Sequence, residues 1–534
     1  MCSSSRAPGI LLLLAIAVAV PAGVDGQSPE SESFAKQRQQ LKHRQRRIIY
    51  NNDGGDIYAA GANTPEGFLA VRMKPTLDTQ VDSVFYCTGA TTMFSHQAKV
   101  GEVYGKYTAG ASDPFARHIA GNIAALADLG TDALALVVDF CHKNNLEVFF
   151  THRINDIHDS FLDWELSTWK REHPEYLFGV REDVEKYPNT DPRCRWSGLD
   201  FEVPEVRTYL LAIIDDVLAR YDVDGIEIDY FRSPCFFRPN LTFQPATAEQ
   251  VGMLTSFQRR VRELTYQHGN NRGRPILVAT RVPMTKQTCL HVGIDIDAWL
   301  KEALLDVLTT GGGYMPFTMP TRESVELGRA HDVPVYPTIS ASGMTAPHNT
   351  DAHWRGAAAN AWLAGADGVY LFNTFPSRPK HPHFTELGDP AALARMDKVF
   401  VMDNVPVLSG GLVQGIEQSQ ILPVKLDPDG KPREVVLPLG DDIKSAADSG
   451  VLKTAQLRIQ FAGGAGARTV EVRLNGEIIK PADGAPPVDW VTYDARPEQY
   501  RRGDNVLAFR ESSGNAQGQS PIEVRSVTLA VNYR

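Results

Sequence analysis

The sequence is poor in cysteine, in cationic charge and in long apolar runs, and each shortage removes a class of protein. Its six cysteines stand at positions 2, 87, 141, 194, 235 and 289 with no C-x-x-C spacing. That excludes a clustered zinc site and a disulfide-dense scaffold. One bridge, Cys194 to Cys235, is the pair suggested by their loop-like surroundings; the competing reading is isolated thiols. Lys and Arg total 54 against 64 Asp and Glu, a formal net charge of −10. A mainly electrostatic nucleic-acid binder needs the opposite balance, because it must displace counterions with a cationic face. No H-E-x-x-H and no G-x-S-x-G occurs, which removes the signals of zincins and serine hydrolases. Gly311-Gly312-Gly313 lacks the spaced G-x-G-x-x-G form of a phosphate-cradling turn.

The sequence has one short apolar run near its beginning. Arg6 precedes Ile10 to Val20, and the small residues Ala22, Gly23 and Gly26 follow. This three-part pattern is that of a secretory signal cleaved after Gly26. Eleven apolar residues are too few to span a bilayer, which takes about 20. The expected location is therefore periplasmic or extracellular, with no retained transmembrane segment.

A chain of 534 residues exceeds what one core usually supports, so at least two domains are expected after residue 26. Residues 27–45 are polar and rich in Gln, Lys and Arg, and read as a disordered or loosely helical lead-in. From residue 46 a beat of short β-branched runs and helical stretches sets in. The strand candidates are Ile48–Asn51, Ser83–Cys87, Glu147–Thr151, Gly225–Tyr230, Ile276–Thr280, Val307–Thr310, Val335–Ile339 and Gly368–Phe372. Helical patterns such as Pro204–Tyr221 and Ala248–Gln267 fall between them. Strand and helix alternating eight times predict an α/β fold, a (β/α)₈ TIM barrel over residues 46–410.

Past about residue 410 helical periodicity fades. Alternating strands replace it at Val435–Leu439, Thr454–Phe461, Thr469–Leu474, Asn505–Arg510 and Val524–Val531, with turn pairs Asp429-Gly430 and Asn475-Gly476. Residues 411–534 are therefore expected to form an antiparallel, jelly-roll-like β-sandwich. Such a module either binds glycan or buttresses the barrel.

In a barrel the working residues lie at the C-terminal ends of the strands. The first strand exits into Asn51-Asn52-Asp53, the third into His152-Arg153-Ile154-Asn155-Asp156-Ile157-His158-Asp159, the sixth into Gly313-Tyr314, the eighth into Asn373. The fourth exits through Glu227-Ile228-Asp229-Tyr230-Phe231-Arg232. Glu227 and Asp229 share one face of that strand, their Cα atoms about 6.6 Å apart at ~3.3 Å per residue. Two carboxylates in an apolar strand are costly unless paired or used, and Arg153 or Arg232 are available to pair them. Asn51-Asn52-Asp53 lacks the H-x-H that metal-dependent amidohydrolases place at the first strand, and His381-Pro382-His383 has no completing ligands. No metal and no cofactor is expected.

The segment Tyr221-Asp222-Val223-Asp224-Gly225-Ile226-Glu227-Ile228-Asp229-Tyr230 resembles the fourth-strand motif of the glycoside hydrolase-like family 10. Arg46 to Gly54, and Arg153-x-Asn155-Asp156-x-His158-Asp159, resemble bacterial members of the same group, and the resemblance runs over roughly residues 46 to 405. D-G-x-x-x-D recurs in α-amylase-like barrels, where the last Asp is the nucleophile; by position that role falls to Asp229. Those barrels carry Arg where Glu227 stands here. The resemblance implies a glycosidase acting on an external poly- or oligosaccharide.

Glycoside hydrolysis needs a protonated carboxyl and an anionic one. Asp229 is the expected nucleophile or base; Glu227, favoured by adjacency, and Asp156 compete for the acid. The expected hydroxyl-binding residues are Asn52, Asp53, His152, Arg153, Asn155, His158, Tyr230, Arg232, Tyr314 and Asn373. The alternative is a carbohydrate-binding or cell-surface protein on a non-catalytic barrel. Sugar, linkage, stereochemical outcome and oligomeric state are not legible.

Overall fold

The computed structural model describes residues 32–105, 110–188, 191–311, 317, 320–342, 349–376, 378–402, 422–426, 430–462, 470–482, 489–511 and 521–534. The proposed signal segment and Tyr314 lie outside them. Eight parallel strands close a barrel: Ile48–Asn52 (β1), Val81–Cys87 (β2), Glu147–Arg153 (β3), Gly225–Asp229 (β4), Leu277–Val282 (β5), Val307–Thr310 (β6), Val335–Ile339 (β7) and Val369–Leu371 (β8). These are the eight runs expected from the sequence. Each is buried on both faces, inward against the barrel interior and outward against helices, which is why they read as near-continuous apolar segments. Ile49, Phe85, Phe149, Leu277, Val307, Tyr336 and Tyr370 pack the interior, with Phe85 and Phe149 stacked at 4.3 Å.

Gly225 opens β4 because the interior leaves it no room. A Cβ there would lie 2.2 Å from the Phe149 ring. Asp224, just before it, accepts from the Val148 N–H (2.9 Å) and pairs with Arg274 (2.9 Å), which ties the start of β4 to β3.

The lead-in is ordered where it is described. Glu32–Lys42 is a helix, with Leu41 against the interior core and Arg38 paired to Asp306 at 3.2 Å. Buried Arg46 donates to the carbonyls of Leu41 and Lys42 and to both oxygens of Glu147 at 2.6 and 2.7 Å. Of the two readings, disordered or loosely helical, the described residues take the helical one, held by Leu41, by Phe34 against Gly269 and by these ion pairs.

The C-terminal unit is an antiparallel sandwich. One layer contains Lys398–Met402, Glu523–Tyr533, Leu452–Ala462 and Trp490–Asp494, the other Arg433–Leu439, Gly503–Glu511, Val470–Leu474 and Glu477–Pro481, and the two are continuous at one edge, where Glu477–Pro481 pairs with Trp490–Asp494. Asn475 and Gly476, at φ 52° and 90°, make the expected hairpin turn. The sheet begins before residue 410: Lys398–Met402 pairs with Glu523–Tyr533 in register Lys398↔Val531 to Met402↔Val527. Its five residues follow the barrel with no change of composition, and only the C-terminal strand recruits them.

Barrel and sandwich meet closely at Gly356 in the helix Asp351–Ala364, where a Cβ would lie 2.2 Å from the Val399 carbonyl oxygen. Backbone cannot yield as a side chain does. Gly356→Ala is therefore expected to destabilise the chain by about 1–3 kcal/mol, the usual cost of overpacking. Thermal unfolding that matches the parent protein would refute this.

The five described cysteines are all buried and free, Cys194 and Cys235 included. The suggested bridge between that pair is absent. Cys235 packs instead with Phe178, its thiol facing the Phe237 carbonyl. No helix among the described residues is long and apolar enough to cross a membrane.

Candidate active site

A cavity of about 210 Å³ opens at the C-terminal mouth of the barrel. Five strand exits contribute to it: Asp53 after β1, Gly89 and Ala90 after β2, Arg153 and Asp156 at β3, Arg232 after β4, Asn373 after β8. This is the end where barrel loops converge. The long excursion after β3 returns over the mouth and adds Leu162, Trp164 and Glu165; Tyr58, Tyr104 and Phe115 complete the wall. Tyr58 meets Phe115 edge-on at 5.4 Å, and Tyr104 lies 6.2 Å from Trp164. Phe115 is 47% exposed.

Asp156 is held by a fan of donors. Its Oδ1 accepts from the His158 backbone N–H at 2.9 Å and from His158 Nδ1 at 2.5 Å. The other ring nitrogen, Nε2, lies 2.8 Å from Arg232 Nη2. The Asp156 Oδ2 is held more loosely, 3.5 Å from Arg153 Nη1 and 3.8 Å from Arg232 Nε. Burial opposes ionisation of Asp156, but His158, Arg232 and Arg153 outweigh it and keep the carboxyl well below its ordinary range.

Glu165 is the opposite case. It is 7% exposed and its carboxyl has no protein hydrogen-bond partner among the described residues. Burial first, then the charges of Asp156 and Asp159, push it up to about 8. One cavity thus holds one carboxyl pushed down by cations and another pushed up by burial and anions, the contrast that separates base from acid. A third carboxylate, Asp53, accepts from the Gly55 N–H at 3.0 Å and pairs with Arg72. Burial works against its charge, yet Arg72 and Arg153 prevail and lower it.

Of the residues expected from sequence, Asp156, Asp53, Arg153, His158, Arg232 and Asn373 line the cavity. Asn373, at φ 49°, has a buried side-chain oxygen with no partner among the described residues. Glu227 and Asp229 do not line it. Asp229 accepts from the N–H groups of Phe231 (3.0 Å) and Arg232 (2.9 Å) through Oδ1, and pairs through Oδ2 with Arg281 at 2.6 Å, both partners fully buried. The strand register Arg153↔Asp229↔Arg281 sets it between two guanidinium groups. Glu227 lies one layer deeper, accepting from Thr151 (2.8 Å), Tyr370 (2.9 Å) and Thr309 (3.2 Å). Burial and then Asp229 push its carboxyl up, but the protons it exchanges face the barrel interior.

Four further expectations dissolve into packing. Asn52 accepts from the Gly54 N–H at 3.1 Å and fixes the β1 turn. Asn155 donates to the carbonyls of Leu199 and Cys235. His152 Nε2 donates to the Thr91 carbonyl at 2.9 Å, and burial brings its ring down to about 4. Tyr230 is core, its hydroxyl on Gln258 at 2.7 Å. Glu165, Tyr58, Tyr104, Phe115 and Trp164 were missed. The one legible signal was the pair Trp164-Glu165 within the same third-strand exit, five residues past the point where the motif was read.

No group of three or more His, Cys, Asp or Glu among the described residues is arranged to hold a metal ion. No curated protein matches the chain. Solved structures similar to it include an α-L-fucosidase isoenzyme 2 from Paenibacillus thiaminolyticus, 13% identical, TM-score 0.41, covering 66% of this chain and 49% of that one. The chitinase ChiW of a Paenibacillus species is 12% identical at TM-score 0.38, covering 90% and 53%. An α-amylase from Geobacillus thermoleovorans is 11% identical at 0.34, covering 89% and 99%. The chain thus spans about half the length of the first two. Residues 117–253, which hold Arg153, Asp156, His158, Glu165 and Arg232, match the family described as glycosyl hydrolase-like 10, the family that the strand motifs resemble.

Proposed function

We propose that this chain is an exported glycoside hydrolase that cleaves O-glycosidic bonds of an external poly- or oligosaccharide. Glu165 is its proton donor and Asp156 its anionic carboxylate. The observation that carries the reading is the pairing, in one cavity with aromatic walls, of two buried carboxyls in opposite surroundings, Asp156 among His158, Arg153 and Arg232 and Glu165 beside Asp156 and Asp159. Glu165 gives its proton to the glycosidic oxygen as the bond breaks. Asp156 Oδ2, the loosely held oxygen, meets the positive charge that develops at the anomeric carbon or deprotonates the incoming water. Arg153 and Arg232 keep Asp156 ionised, and Asn373 and Asp53 offer acceptors to ring hydroxyls. Export is supported by the pattern Arg6, Ile10 to Val20 and Gly26.

Reducing-end release from a polysaccharide panel tests the reaction, and NMR of the first anomer formed distinguishes attack by Asp156 from activation of water. Saturable binding with no sugar release would instead support a carbohydrate-binding barrel without catalysis. The pH dependence follows in sign. A donor raised to about 8 is protonated below that value, and Asp156 stays charged to well below the ordinary carboxylate range. The pH profile of kcat/KM is therefore expected to be flat across neutrality and to fall above about pH 8. A profile that falls already below pH 6 contradicts the assignment of the acid.

A further inference from the structure

Behind Glu165 stand two charged groups that neither line the cavity nor enter the mechanism above. Asp159 and Lys170 have side chains only 1% exposed, with Lys170 Nζ 2.6 Å from Asp159 Oδ2. Lys170 also donates to the Ser197 carbonyl at 2.9 Å, and the second oxygen of Asp159 accepts from the Ser197 hydroxyl. Ser197 Oγ lies 2.7 Å from Ser160 Oγ, and Trp196 Nε1 donates to the Ser160 carbonyl at 3.1 Å. The ion pair joins the two ends of one loop. Residues 160–169 lie between its partners and carry Leu162, Trp164 and Glu165 of the cavity wall. Near the far end Thr92 donates to Ser167 Oγ at 2.9 Å, and the Thr168 N–H donates to Glu102 at 2.6 Å. Stability alone does not call for such a pair, since well-packed apolar residues of equal volume are often as stable in its place.

We propose that Asp159 and Lys170 are positioning residues for the hydrolytic reaction: their ion pair clasps the loop on which Glu165 stands and balances the charge behind it. The proposal rests on the assignment of Glu165 as the acid. The charged groups facing Glu165 are Asp156 and Asp159, which favour its protonated form, and Arg153 and Lys170, which oppose it. The hydroxyls of Tyr58 and Tyr104 also face it, and burial keeps both protonated. Removing one member of the clasp therefore moves the acid in a direction set by the member removed.

The test compares Asp159→Asn, Lys170→Met, the double variant and Lys170→Arg in the full chain. The assay is reducing-end release from the polysaccharide that the parent cleaves, followed from pH 5 to 10. Asp159→Asn leaves Lys170 unbalanced, and the high-pH limb of kcat/KM moves down by about one pH unit. Lys170→Met leaves Asp159 unbalanced, and the limb moves up by a similar amount. The double variant returns the limb to the parent position with kcat lowered about tenfold and KM little changed, because the loop is no longer clasped while the charges still cancel. Lys170→Arg keeps the parent limb. Where either single variant fails to fold, the double variant decides, since it buries no unpaired charge. Parent-like kcat in the double variant, or limbs that stay in place in the single ones, overturns the proposal. A Glu165→Gln variant with full activity in the same assay overturns the assignment of the acid instead, and so separates the two failures.

Discussion

Glu165→Gln is expected to slow reducing-end release from an unactivated oligosaccharide by about 10³-fold, the scale on which a positioned general acid acts. The amide cannot deliver a proton, yet it has nearly the same size, and the site loses no hydrogen bond because Glu165 makes none with a described residue. A 2,4-dinitrophenyl glycoside with the same sugar should lose far less, since its leaving group departs as a stable anion without protonation. Asp156→Asn should behave otherwise. Both substrates then depend on the missing carboxylate, and both should fall by about 10³-fold or more. Comparing the two substrates across the two variants separates donor from anion without any assumption about which sugar is bound. Equal losses on both substrates for Glu165→Gln would remove it from the proton-donor role.

Asp229→Asn is expected to act chiefly on stability. Arg281 is fully buried, its Nε and Nη1 have no hydrogen-bond partner among the described residues, and its guanidinium lies 4.1 Å over Phe372. Asp229 Oδ2 supplies its short ion pair at 2.6 Å. Removing that charge leaves a buried cation uncompensated, a loss of about 3–5 kcal/mol in comparable pairs. Asn keeps an acceptor for the Phe231 and Arg232 amides, so the turn after β4 should survive. Urea unfolding should show a lower midpoint at an unchanged slope, and adding Arg281→Met to the same chain should recover part of the loss. A nucleophile would give the reverse pattern, with parent stability and turnover reduced by orders of magnitude. That reverse pattern is what the D-G-x-x-x-D motif leads one to expect, so the unfolding curve distinguishes the motif's reading from the geometry's.

The two expectations differ because of what a linear motif contains. Asp229 reads as catalytic since it ends a strand in a barrel-like pattern. Whether its oxygens are free depends on Arg281, 52 residues further on and brought alongside only by the β4–β5 register. The same holds for His152 and Asn155, polar residues at a strand exit whose partners Thr91 and Cys235 come from other exits.

By itself the sequence determined the eight strands, the alternation that closes them and the second, β-rich unit. Parallel strands buried on both faces must be apolar throughout, and that constraint is written locally. It also determined the mouth of the barrel, because strand direction alone decides which end carries Asp53, Arg153, Asp156, Arg232 and Asn373. Only the tertiary structure decided which carboxyls meet there and which way their surroundings push them. Glu165 reaches the cavity on an excursion bonded through Asp159 to Lys170 and Ser197 and through Ser167 to Thr92, contacts that span 11 to 75 residues of chain. Its raised proton affinity comes from burial and from Asp156 and Asp159. Distance and desolvation create these effects, and neither exists until the chain has folded.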